Sequence, residues 1–258
     1  MSTQLIELLR QTLVPSEAKQ GMVDKKCILS KESDDTAEKG LSSVESNPGF
    51  ISSLLQVICD TKNEMPIRQA GALFFKNFIK RNWSIEDAGT IIAETDRNVI
   101  KGGVVQAMTT LPSALQLQLG EAITIIANTD FPSSWPNLVD DLISNMSASD
   151  MTITNGVLQT AHSIFKRWRA QYRSDELFTE IAFVLHRFCE PFLALFKQID
   201  SLIDQNTGNT QVLNTLFETM VLLTKVFYDL NSQDIPEFFE DHMTEFMTIL
   251  HKYLIYHN

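Results

Sequence analysis

Residues 65–83 read MPIRQAGALFFKNFIKRNW, and this stretch decides the fold class. Ile67, Ala70, Gly71, Phe74, Phe75 and Phe78 fall on one face at helical spacing, while Gln69, Lys76 and Lys80 fall opposite. A helix of this kind packs along one side and meets solvent or a partner along the other.

The same periodicity extends in both directions. Leu115, Leu119, Ala122 and Ile126 form a stripe after Pro112, and Val157, Ala161, Ile164 and Trp168 form another after Asn155. Neither stripe needs a cofactor to explain it. Breaks at Asn47 and Pro48, at Pro112, at Pro132 and Pro136, at residues 206–208 and at Pro236 divide the chain into paired helices. The pairs recur at roughly 40 to 50 residues, the range of HEAT and armadillo repeats. First helices are expected over 2–13, 49–62, 97–111, 136–147 and 176–205, and second helices over 35–46, 65–82, 113–128, 153–173 and 209–231. A last helix, from residue 237 to the end, has no following partner, so Phe238, Phe239, Phe246, Met247, Leu250 and Leu254 are expected to be half covered. The fold class is therefore all-α, one solenoid over 1–258 whose units bury their apolar faces by stacking. With an open last edge, the chain is expected to be a fragment of a longer arch. Residues 21–34, GMVDKKCILSKESD, are charged and poor in apolar residues, and 15–34 is expected as a disordered insert.

Composition narrows the function. Hydrophobic residues make up 44% and charged residues 21%, the profile of a globular protein, and only 10 Gly and 8 Pro punctuate it. A net charge of -11 argues against a surface built to grip nucleic-acid phosphates and suits a basic partner. Cys27, Cys59 and Cys189 lie far apart without a metal-ligand or disulfide spacing, so no cofactor or structural zinc is expected. The opening MSTQLIELLRQTLV does not read as a signal peptide, and no apolar run reaches the ~18 residues of a membrane span. A chain of the cytosol or nucleus, without membrane insertion, is expected.

The stretch IRQAGALFFKNFIKRNW (Ile67 to Trp83) resembles the importin-β N-terminal module, whose amphipathic second helix ends with an Asn, a basic pair and a Trp. Three further stretches are LQLQLGEAITIIANTDFPSSWPNLV (Leu115 to Val139), GVLQTAHSIFKRWRAQYRSDELFTEI (Gly156 to Ile181) and DIPEFFEDH (Asp234 to His242). Together they make the chain resemble the CAS-type exportins, nearly throughout except for 15–34, with a Ran-binding module over 35–112. Members of that family are several times longer. The resemblance implies a nuclear export receptor that binds RanGTP and importin-α together and passes nuclear pore proteins, shuttling between nucleus and cytoplasm. It implies no active site, only affinities coupled between two ligands. It places Ran against Gln69, Lys76, Asn77, Lys80 and Arg81, although Lys80 and Arg81 also suit the helix dipole.

Other stretches invite sharper readings. KRWRAQYR, with Lys166, Arg167, Arg169 and Arg173, interleaves cations with aromatics in the manner of a nucleic-acid surface. The acidity of the chain favours instead a core Trp168 beneath a solvated basic face that meets an acidic partner. Asp34, Asp35 and Glu38 have the DDxxE spacing of isoprenoid synthases, but the second acidic site has Ala148 where a carboxylate should stand. His162 is expected to be structural, and Phe131, Pro132, Trp135 and Pro136 to pack as a corner. An importin-β-like receptor for another cargo and a HEAT scaffold outside transport remain the alternatives.

Overall fold

A computed structural model describes residues 2–13, 40–41, 43–84 and 92–255. Every regular element among them is helical. The chain divides into two compact units, residues 1–129 and 130–258.

In the first unit, α1 (Ser2–Leu13), α2 (Phe50–Cys59) and α3 (Met65–Asn82) pack against one another, and α2 also meets α4 (Glu94–Thr109). Leu5, Leu9, Leu54, Ile58, Ile67 and Phe75 fill the space between them. Gly71 allows the close approach: a Cβ there would stand 3.2 Å from Ile58 Cγ1 and 3.5 Å from Leu9 Cδ1. Arg68, buried, donates from Nε to the Ile58 carbonyl at 2.7 Å and so satisfies one of the open carbonyls at the end of α2. Gly49 enters α2 at φ +75°, a conformation that favours glycine, and its N–H donates to Asp96 Oδ2 at 3.1 Å. Helix α5 (Ser113–Asp130) buries Leu115, Leu119, Ala122 and Ile126, the expected stripe.

In the second unit, α6 (Leu138–Ser144) packs on the 31-residue α8 (Asp175–Gln205), and α7 (Met151–Phe165) pairs with α9 (Thr210–Leu230). A buried aromatic row runs through it. Phe165, Phe188, Phe192 and Phe196 succeed one another at ring-centroid distances of 5.4, 5.6 and 6.1 Å, and Phe192 meets Phe246 at 6.2 Å. Phe131 and Trp135 are buried, with Phe131 edge-on to Phe183 at 5.7 Å, so the proline-flanked stretch is a packed corner.

The structure departs from the expected boundaries in several places. The helix expected over 153–173 stops at Phe165 and tightens into a 3-10 turn, Lys166–Ala170. Residues three apart eclipse in such a turn, which brings Trp168 onto Phe165 at 4.8 Å. The helix expected over 136–147 is only Leu138–Ser144, closed where Asn145 Nδ2 donates to the Asp141 carbonyl at 2.8 Å. The helix expected over 97–111 begins earlier, at Glu94, where Glu94 and Asp96 suit the positive end of the helix. The single last helix is two, α10 (Glu237–Asp241) and α11 (Met243–Leu254), broken at His242. The break lets Phe239 and Phe246 both reach Phe192 and Phe227. Helix α11 is half covered: Phe246 and Ile249 are buried while Met247 and Leu254 are exposed. Residues 40–41 and 43–45 are helical, within the expected 35–46 helix. The expected insert at 15–34, and with it the DDxxE triplet, lies outside the described residues.

Candidate partner-binding surface

Helix α3 presents a row to solvent at steps of four, four and three residues: Gln69, Leu73, Asn77 and Lys80 are all exposed. Leu73, in the middle of the row, keeps 48% of its surface open, and Met65 at the start of the helix keeps 39%. The opposite side carries Ile67, Gly71, Phe75 and Phe78 into the core.

Two of the five residues singled out on this helix have partners within the chain. Lys76 Nζ lies 3.0 Å from Glu121 Oε2 of α5, with 19% of its side chain exposed. Arg81 Nη2 donates to Glu45 Oε1 at 2.9 Å, and its guanidinium stands 6.0 Å from the Phe74 ring centroid. Gln69, Asn77 and Lys80 face outward, and Leu73 joins them. Leu73 was legible only as the residue one turn from both Gln69 and Asn77. Glu121 carried no signal at all, because its partner is remote in sequence.

The Asn and Trp that end α3 are structural. Asn82, buried, donates from Nδ2 to the Phe78 carbonyl at 3.0 Å. Trp83 is buried beneath Arg97, whose guanidinium lies 4.5 Å from its ring centroid and donates from Nη2 to the Trp83 carbonyl at 2.7 Å. These contacts fix where the helix stops and hold Lys80 and Arg81 in its last turn, where cations suit the dipole.

The basic stretch of the second unit is arranged differently. Trp168 is fully buried and donates from Nε1 to Glu180 Oε1 at 2.9 Å, and Arg167 pairs with the same carboxylate. Arg169 reaches Asp229 Oδ1 at 2.5 Å and lies over the Tyr228 ring at 4.2 Å. His162 Nδ1 meets the other oxygen, Asp229 Oδ2, at 2.6 Å, so the histidine is a partnered structural residue. Burial pushes the Asp229 carboxyl above its ordinary pKa, against the opposing pull of His162 and Arg169. Arg173 pairs with Asp234 at 3.1 Å on the surface, and Lys166 is exposed. Gln233 donates to the carbonyls of Trp168 and Gln171 and ties the turn to the end of α9.

Among the described residues, no group of three or more His, Cys, Asp or Glu side chains is placed to hold a metal ion. No helix among them is long and apolar enough to cross a membrane.

Comparison with known proteins gives this geometry its context. Residues 37–110 match the model of the importin-beta N-terminal domain, and residues 164–258 match the Cse1 family model. The importin alpha re-exporter of Saccharomyces cerevisiae is 50% identical over 223 residues, which cover 86% of this chain and 23% of the yeast protein. The importin-alpha re-exporter of Schizosaccharomyces pombe is 47% identical over 225 residues and human Exportin-2 42% over 223, with the same coverage. The chain thus spans about a quarter of the length of these relatives. A solved structure, described as the exportin Cse1 in its cargo-free, cytoplasmic state, superposes with a TM-score of 0.88 at 44% identity, covering 100% of this chain and 26% of that one. Another, of the bidirectional nuclear transport receptor Lph2 of yeast, superposes at 0.67 with 19% identity over 88% of this chain and 23% of that one, and shares the fold. On its sequence and its all-α solenoid fold, the chain belongs to the importin-α re-exporter family of exportins, of which it matches the N-terminal portion.

Proposed function

We propose that this chain is the Ran-binding portion of a nuclear export receptor, and that the outer face of α3 receives the GTP-bound form of Ran. The observation that carries the reading is the exposed row of Gln69, Leu73, Asn77 and Lys80 within the stretch that matches the importin-beta N-terminal domain. An apolar residue flanked by two amides, with a cation beyond, suits a protein-docking surface, where a few central residues carry most of the affinity. In the full-length receptor the same face couples to cargo: importin-α and RanGTP bind together in the nucleus and part after GTP hydrolysis in the cytoplasm. The receptor itself needs no active site, since the energy enters through Ran's nucleotide and appears as a coupling free energy between two binding events. Shuttling between nucleus and cytoplasm, with passing contacts to nuclear pore proteins, belongs to the same reading.

Titration of the chain with Ran loaded with GTP and with GDP tests it. The GTP form binds more tightly, and the Asn77→Ala/Lys80→Ala double variant weakens that binding by about tenfold, or about 1.4 kcal/mol, without lowering the melting temperature. Equal binding of the two nucleotide forms, or indifference to the double variant, sinks the assignment of the α3 face.

A further inference from the structure

Lys76 flanks the exposed row of α3 beside Asn77, yet its ammonium is held by a carboxylate of its own chain. Glu121 Oε2 stands 3.0 Å away, on α5, and keeps 47% of its own side chain exposed. One turn before it on α5, Leu117 is 49% exposed, and one turn before Lys76 on α3, Leu73 is 48% exposed. The ion pair therefore bridges two neighbouring helices, each of which has an exposed leucine one turn away.

Only the carboxylate end of the pair is open to water, since Lys76 keeps 19% of its side chain exposed; replacing Glu121 by another carboxylate leaves the ammonium paired and costs little. Once a partner covers the leucines, water leaves the surface and whichever carboxylate remains beside Lys76 is held more strongly. We infer that Glu121 is an internal competitor for Lys76: it occupies the cation in the free chain, and an acidic side chain of the docked GTPase takes its place. This rests on the proposed Ran-binding role of α3. Its consequence is selectivity. A stray acidic surface gains nothing at Lys76, because displacing Glu121 returns only what is lost. A partner that also covers Leu73 and engages Asn77 and Lys80 does displace it. The opposite role, a strut in which Glu121 holds Lys76 in its binding geometry, makes the opposite forecast for a variant without the carboxylate.

The experiment uses the whole chain with Glu121→Gln, Lys76→Met and the two combined. In the free chain, acylation of Lys76 by an amine-specific reagent is followed by mass spectrometry, with the exposed Lys80 as internal reference. In the second readout, each variant is titrated with Ran loaded with GTP. Glu121→Gln is expected to speed Lys76 acylation and to tighten Ran binding by about two- to fivefold, the range of an ion pair with a solvent-exposed carboxylate, with no gain in the Lys76→Met background. Unchanged acylation, weaker binding of Glu121→Gln, or a gain that survives Lys76→Met overturns the competitor role while leaving the function reading in place. Failure of the unsubstituted chain to bind either form of Ran overturns both, and is told apart by that control alone.

Discussion

Two basic stretches of this chain, KNFIKRNW at 76–83 and KRWRAQYR at 166–173, both interleave cations with aromatic rings, and the fold uses them in different ways. The first leaves Lys80 and Asn77 open on an outward face. The second turns inward: Arg167 goes to Glu180 and Arg169 to Asp229, beneath which His162 is held as well. The cause is the supply of carboxylates and the local backbone. The 3-10 turn swings Trp168 into the aromatic row, which carries the flanking arginines toward acids on α8 and α9. On α3 an unbroken α-helix keeps alternate sides apart, so among the described residues it is those at the margins of the outer face, Lys76 and Arg81, that find acids. A cluster of cations thus stays open to solvent or becomes a structural latch according to what the fold brings beneath it.

Substitutions that break one side of this contrast should leave the other intact. The largest effect is expected from Phe192→Ala, which removes a ring shared by Phe188, Phe196, Phe239 and Phe246 and costs about 3–5 kcal/mol in chemical denaturation. Next, Asp229→Ala withdraws the buried carboxylate from both His162 and Arg169 and costs about 3 kcal/mol. Arg173→Ala, which opens only a surface pair with Asp234, should cost no more than about 0.5 kcal/mol. Equal costs for the two would show that the inward and outward cations of this stretch are not distinct. None of these variants should alter the proposed binding of Ran, measured below the melting temperature.

The smallest expected effect is one of pH. Lys252 of α11 bridges Asp200 at 2.8 Å and Asp204 at 2.6 Å on α8. Partial burial alone would lower its pKa, but the two carboxylates outweigh that and raise it above the ordinary 10.5. A lysine with a raised folded pKa contributes stability that is complete below the unfolded value and is lost as pH rises through the folded one. The stability difference between the unsubstituted chain and Lys252→Met should therefore be constant, and under about 0.5 kcal/mol, from pH 7 to 9, and should fall away as pH rises through the raised lysine pKa above 10.5. A difference that persists at high pH would assign Lys252 a packing role.

The paired helices, their order and most of their apolar faces could be read from the chain because helical periodicity is local: residues three and four apart share a face whatever surrounds them. The stripe Leu115, Leu119, Ala122 and Ile126 and the half-covered α11 follow from it. Places where a helix bends escaped that reading. The 3-10 turn at Lys166–Ala170 seats Trp168 where its Nε1 reaches Glu180, and the break at His242 lets Phe246 meet Phe227; these partners lie outside any short window.

The candidate site divides the same way. Gln69, Asn77 and Lys80 follow from the spacing of α3 alone, since a residue opposite a packed stripe is exposed by geometry. The sequence by itself thus determined the helices, their faces and the resemblance that names the family. Only the tertiary structure decided which cations are free, because pairing Lys76 with Glu121, Arg81 with Glu45 and Arg169 with Asp229 depends on through-space distances of a few ångströms between segments far apart in the chain.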